Sequence, residues 1–418
     1  MTTMPRRSLL LAGGSAAALL AAGVPARAAS AHRSFDPNTS VLDWNRTLLR
    51  IVRTHGAQPA TVHPTRSFAI MHLAVHDAVV AAGSHVAGAY VRGLHASPVA
   101  AAVQAAHDTL VALYPAMRAD LDTQLAGDLA ALPDDAARAA GVASGGRAAR
   151  SILAARAHDG SAATPPVLAP GTVPGQYRPT PPAFAPAVFT HWPAVTPFVL
   201  RDADQFRPGR YPALTSGTYA SATNEVQSLG RDASPTRTAD QTIQATFWAA
   251  PIWNYWNEIT QTVARNADLA ATARAFALMN LAFADSVIAF YDAKYHYRIW
   301  RPISAIQLGG TDGNPGTGGD AAWNPLATTP ADPAYPGAHS VVAQAGALVL
   351  EREFGSVRHL IVTSEATPGV VRTFDRLQDA ADEAGHSRIF AGVHSRLDHV
   401  AGQQLGREVA HFVLARAM

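Results

Sequence analysis

Lys294-Tyr295-His296-Tyr297-Arg298-Ile299-Trp300-Arg301-Pro302 closes a long apolar run that begins near residue 268. The run carries helical periodicity through Ala271, Asp285 and Asp292. At ~100° per residue Lys294 and Arg301 project ~20° apart, with Arg298 near the same face. Pro302 disfavours helical geometry at Arg301, so the guanidinium is expected where the helix ends. A lone basic trio usually marks a solvated face. Here Tyr291, Tyr295, Tyr297 and Trp300 flank it, and cations embedded in aromatic sequence are expected to be interior and paired.

Two later stretches supply what such cations could meet. In Pro336-Gly337-Ala338-His339-Ser340 a turn precedes an apolar helix running to about Phe354. Helix N-terminal amides attract anions. Gly337 would let the backbone approach one closely, and the Ala338 N–H would be a further donor. His339 is then placed for proton transfer, while Ser340, on the far side of the histidine, faces elsewhere. In Ser387-Arg388-Ile-Phe-Ala-Gly-Val-His394-Ser-Arg-Leu-Asp398, Arg388 and His394 are six apart and would diverge on one helix, which predicts a break near Ala391-Gly392. His394 and Asp398 share a face, so Asp398 can fix the imidazole tautomer. Lys294, Arg301 and Arg388 with two imidazoles describe a pocket for a tetrahedral oxyanion.

The remaining chain reads as helices near 40–54, 65–82, 97–114, 116–131, 134–158, 216–230, 238–248, 253–265, 365–384 and 395–416. The fold class is therefore all-α, a bundle of helices. One domain is expected over 30–418, with N-terminal helices over 30–160, a Pro-rich excursion over 161–215 and a helical half over 216–418. Tyr177, Phe184, Phe189, Trp192 and Phe198 are spaced through the excursion, so it should be ordered rather than a flexible linker. His72 and His76, four apart on one helix, have metal-ligand spacing but read better as interior histidines. Asp312 to Asp320 has oxygen donors and glycines without the register of a calcium loop. Asp285 and Asp292 share a face and could balance the local positive charge.

The pattern K-x6-RP, P-x-x-H, SR-x5-H-x3-D resembles the vanadium-dependent haloperoxidases and type 2 phosphatidic-acid phosphatases, one superfamily, in its bacterial soluble branch. The resemblance implies a helical bundle and an oxyanion pocket built from Lys294, Arg301, Gly337, Ala338 and Arg388. It makes His394 the sole protein ligand to vanadate, or the nucleophile to phosphorus. His339 becomes the proton-handling group and Asp398 the partner of His394. The implied activity is oxidation of halide by hydrogen peroxide with vanadate as cofactor. The alternatives are a soluble acid phosphatase acting on phosphate esters, or a non-catalytic oxyanion-binding homologue. In one respect the chain departs from the family: Pro336-Gly337-Ala338-His339 stands where Pro-Ser-Gly-His or Pro-Ser-Ala-His is usual.

Composition agrees. Of 418 residues 48% are hydrophobic and only 15% charged, and the net charge of +2 argues for neither nucleic acid nor a membrane surface. The absence of cysteine excludes disulfides and thiol catalysis. Arg6-Arg7, an apolar run to Val24 and Ala26-Arg27-Ala28 read as a twin-arginine export signal over 1–29. The expected location is periplasmic or secreted, with no membrane span after the signal is removed. A homo-oligomer is compatible with this reading.

Overall fold

A 29-residue helix capped by Asp268, whose side chain accepts from the Ala271 amide at 2.7 Å, forms the axis of the bundle. In the computed structural model the described residues are 36, 39–83, 96–355 and 359–417. They belong to one compact unit, Phe35–Met418. The candidate export signal over 1–29 lies outside the described residues.

Among the described residues eight α-helices precede the axis: α1 (Ser40–Arg53), α2 (Pro64–Gly83), α3 (Pro98–Leu113), α4 (Arg118–Ala130), α5 (Ala136–Ala155), α6 (Gly217–Leu229), α7 (Ala239–Phe247) and α8 (Ile252–Val263). The axis itself is α9 (Leu269–Tyr297), and α10 (Pro302–Gln307), α11 (Ala338–Phe354), α12 (Leu377–Phe390) and α13 (Arg396–Arg416) follow it. The α9 sequence is apolar on nearly every side, as befits a helix wrapped by others. It is long and apolar enough to cross a bilayer, but its most apolar window is 94% buried against α2, α11 and α13.

Small residues set the spacing that matters for the site. A Cβ on Gly402 would lie 2.6 Å from the Gly337 carbonyl, and one on Gly406 2.3 Å from the Val341 carbonyl. Only glycine lets α13 lie this close to the first turn of α11, and so brings His339 near His394.

The Pro-rich excursion is ordered, as its aromatics suggested. Tyr177 and Trp192 are buried, whereas Phe184 points to solvent. Buried Asp285 holds the segment from inside α9, accepting the amides of Phe198, Val199 and Leu200 at 2.6, 2.7 and 2.8 Å. Arg156 lies 3.9 Å over the Phe198 ring.

Two regions depart from expectation. Where one helix was expected over 365–384, residues 360–374 form an antiparallel hairpin, β1 (Leu360–Thr363) and β2 (Val371–Phe374), with Leu360 opposite Phe374. Leu360 and Val362 are buried while Ile361 faces out, a period of two that four residues are too few to announce. Helix α12 starts only after it. The six-residue α10 was also unforeseen. His72 bonds Asn45 Oδ1 at 2.9 Å and His76 sits beside exposed Asp77, so the pair does not converge. The loop at 312–320 uses its own carboxylates: Asp312 accepts from the Asn314 amide and the Thr317 hydroxyl, and Asp320 pairs with Arg231.

Candidate active site

Lys294 and Arg301 do come together, but not through helical projection. The helix stops at Tyr297, because Arg298 adopts a left-handed conformation (φ 50°, ψ 43°) and its side chain is exposed. The chain turns, and Arg301 becomes the N-cap residue of α10. Arg298 thus leaves the group, and Arg301 lies at a helix start rather than a helix end.

Both cations meet Asp332. Its Oδ2 is 3.1 Å from Lys294 Nζ, and its Oδ1 accepts from Arg301 Nη2. Arg301 Nε also donates to the Asp332 carbonyl at 2.7 Å, and Lys294 to the carbonyls of Pro333 and Ala334. Burial alone would push the Asp332 carboxyl up, but Lys294 and Arg301 outweigh it and hold it below its usual range. Burial pulls Lys294 down to about 8 despite that partner. Asp285 and Asp292, the expected counter-charges, are engaged elsewhere, Asp292 with Arg207 at 2.6 Å. Asp332 takes their place. Its only sequence signal is a carboxylate inside Pro330-Ala-Asp-Pro333, just ahead of the second block.

Arg388 arrives from the last turn of α12. Helix continuity breaks at Gly392 (φ 78°), as the spacing required, and α13 restarts after Ser395. The Arg388 guanidinium is buried, and its Nη1 has no hydrogen-bond partner. Burial, then repulsion from Arg301, lowers its pKa to about 10. A buried guanidinium nitrogen without an acceptor is costly unless an anion completes it.

His394 is buried at the same level. Its Nδ1 is 3.3 Å from Asp398 Oδ2, and its Nε2 is 3.1 Å from Arg301 Nη1. With Nδ1–H donating to the carboxylate, Nε2 keeps its lone pair toward the guanidinium. Burial, then Arg301, Lys294 and Arg388, hold the ring well below its ordinary pKa, so it is neutral. Asp398 also closes a capping box, accepting the Ser395 amide at 2.7 Å.

His339, in the first turn of α11, donates from Nε2 to the Trp248 carbonyl at 2.9 Å, which leaves Nδ1 as its acceptor atom. Burial, then Arg388, keep this ring neutral too. Ser340 does face away, bonded to His399 Nδ1 at 2.9 Å. Ala338 lines the cavity at a helix start, where amides lack intrahelical acceptors. Gly337 does not serve as expected: its amide is committed to the Asp398 carbonyl at 2.9 Å.

Lys294, Arg301, Asp332, Ala338, His339, Arg388 and His394 share the lining of one cavity of about 440 Å³, and this polar part is termed its floor. Above the floor the wall is apolar and aromatic, with Phe189 from the Pro-rich excursion, Trp253 from α8 and Tyr291 from α9. His63, just before α2, also lines it. Sequence reasoning assigned it no role.

Residues 274–418 match the family model for the VCPO second helical-bundle domain. Vanadium chloroperoxidase of Curvularia inaequalis is 27% identical over 230 residues, 40% of this chain and 37% of that protein. The first bacterial vanadium-dependent iodoperoxidase, as a crystal structure, superposes with a TM-score of 0.72 at 26% identity, covering 90% of this chain and 95% of its own. The chain is thus similar to the vanadium haloperoxidases, and over residues 274–418 it carries their second helical-bundle domain. A holo-type bacterial vanadium-dependent chloroperoxidase shares the fold, with a TM-score of 0.67 at 17% identity over 92% of this chain and 99% of that one. The all-α architecture matches the helical bundle of these relatives, which are enzymes. The matched region spans little more than a third of the curated relative's length.

Proposed function

We propose that this protein is an exported vanadium-dependent haloperoxidase that oxidises halide with hydrogen peroxide. The observation that carries this choice over a phosphatase is the hydrogen bond from His339 Nε2 to the Trp248 carbonyl, which makes Nδ1 the acceptor atom of the neutral ring. A phosphatase of this design needs a protonated imidazole to deliver a proton to a leaving alcohol. A neutral His339, with Nδ1 unprotonated, is instead ready to accept a proton from peroxide.

The residues present fit vanadate. Buried Arg388 Nη1 lacks an acceptor that an oxyanion oxygen would supply, and His394 Nε2 offers a lone pair on the same floor. His394 would hold the vanadium. Arg388, Arg301, Lys294 and the Ala338 amide would offset the charge on its oxygens. Bound there, vanadate would supply a Lewis acid that makes peroxide susceptible to attack by halide. Asp398 keeps the proton on His394 Nδ1 and so keeps Nε2 available.

The deciding experiment is elemental analysis of purified protein with and without added vanadate, run beside iodide- and bromide-oxidation and phosphatase assays. Vanadium at one equivalent with peroxide-dependent halide oxidation is expected. Phosphate-ester hydrolysis without halide oxidation would favour the phosphatase. Vanadate binding with neither activity would favour a binding homologue. Periplasmic or secreted location through residues 1–29 is part of the proposal, and fractionation of cells carrying an Arg6→Lys, Arg7→Lys variant checks it.

A further inference from the structure

The aromatic part of the cavity lining has chemistry of its own. The His63 side chain is enclosed by rings: Trp253 at 4.4 Å, Phe189 at 5.2 Å, Trp192 at 5.9 Å and Tyr291 at 6.1 Å between centroids. His63 is 2% exposed, and burial drives its pKa down to about 3, so it carries no charge. Its Nδ1 receives the Thr65 amide at 3.4 Å and lies 2.9 Å from the Thr65 hydroxyl. A backbone N–H can only donate, so Nδ1 is an acceptor and the ring proton resides on Nε2. That Nε2–H has no acceptor among the described residues, and His63 lines the cavity. One neutral donor therefore projects from an aromatic wall above a cationic floor.

A halide ion is a poor occupant beside His63, since the charge that acts on this ring is the Asp332 carboxylate. Flat rings bind flat rings, and a single N–H selects a neutral acceptor. We propose that this compartment seats a flat aromatic molecule bearing an acceptor oxygen, hydrogen-bonded to His63 Nε2 and packed against Trp253 and Tyr291, as the organic co-substrate. The binding stands on the geometry alone, whereas the co-substrate role rests on the haloperoxidase reading. In that role hydrogen peroxide takes two electrons from halide and the halogen replaces one ring hydrogen. The ring proton, one proton from solvent and the two hydrogens of peroxide leave with its two oxygens as two waters.

The test compares 2-naphthol with 2-methylnaphthalene, alike in shape but differing in the acceptor oxygen, by ligand-observed NMR titration of the intact protein. One-to-one binding with 2-naphthol tighter by about three- to tenfold is expected, the usual contribution of one hydrogen bond. His63→Phe keeps an aromatic ring and should abolish that preference, while His63→Gln, which retains an N–H, should keep part of it. Trp253→Leu should weaken both ligands alike, and it reads out the compartment even if the His63→Phe chain fails to fold. Failure of the intact protein to bind either ligand, equal binding of both, or an unchanged preference in His63→Phe overturns the site. In the vanadate-loaded protein, bromination of 2-naphthol should saturate at the concentration found by titration. A rate that rises without saturation overturns the transfer role. A separate vanadate titration keeps the two readings apart. Naphthol binding without vanadate binding sinks the haloperoxidase reading alone, and vanadate binding without naphthol binding sinks the compartment alone.

Discussion

The Gly337 amide donates to the Asp398 carbonyl at 2.9 Å, tying the first turn of α11 to the first turn of α13. The residue that departs from the family pattern is thus fixed by the residue that orients His394. Gly337 has φ −76°, an ordinary conformation for any residue, so serine would not be strained there. A Cβ would sit 3.2 Å from the Asp398 carbonyl oxygen, which must yield by a few tenths of an ångström. Gly337→Ser is expected to tighten vanadate binding by roughly ten- to a hundredfold, the effect of one hydrogen bond to a charged group. Isothermal titration checks it; an unchanged affinity would mean the hydroxyl does not reach the anion.

Asp398 has two tasks, and two variants separate them. Asp398→Ala loses the contact to His394 and the capping bond to the Ser395 amide. Vanadate affinity should fall about 10–100-fold, and stability by about 1 kcal/mol. Asp398→Asn keeps an acceptor for one of the two donors and should recover most of the stability but little of the affinity. Equal recovery of both would make the residue a cap and nothing more.

Removing Asp332 leaves Lys294 and Arg301 buried without their carboxylate. Asp332→Ala should cost about 3–5 kcal/mol in the apo protein. Vanadate or phosphate can then act as the replacement counter-ion. Thermal melting should show a larger upward shift on adding either anion for Asp332→Ala than for the natural chain. An equal or smaller shift would place Asp332 outside the anion's field.

Acid should unfold this protein. His63 and His72 are held to about 3 by burial, against about 6.5 when unfolded. Between those values the unfolded chain binds more protons, so stability is full above pH ~6.5 and falls as the pH drops. Each ring contributes about 1.4 kcal/mol per pH unit in that window, the two together about 3. Urea unfolding at pH 7.5, 6.5 and 5.5 measures it; a flat profile over that range would show that these rings are open to water or already charged.

What was legible in the sequence follows from how local each cause is. Helix positions over most of the chain, the break at Gly392 and the face shared by His394 and Asp398 depend on near neighbours and could be read from spacing. The identity of the counter-ion could not. Asp285 and Asp292 lie on the same helix as Lys294, yet Asp332, brought in by a loop, pairs with it instead. The Gly337 amide was assigned to an anion because helix starts favour anions, but a carbonyl on another helix reached it first. His63 had no signal at all, since its meaning comes from four rings scattered between residues 189 and 291. The hairpin escaped because each strand has only four residues.

Asp285 gives the cavity a divided construction. The floor belongs to helices and helix ends after residue 290, whereas Phe189 belongs to a stretch without long helices that three amide bonds to Asp285 anchor downstream. Part of the selecting wall, at Phe189, thus lies on a length of polypeptide distinct from the one that carries the chemistry. Residues 183–187 could be exchanged while Asp285 continues to fasten 198–200, provided Val188 keeps its backbone bonds to Ala331, next to Asp332, and to the Tyr295 hydroxyl. For an engineer the excursion is a replaceable fitting on a fixed engine.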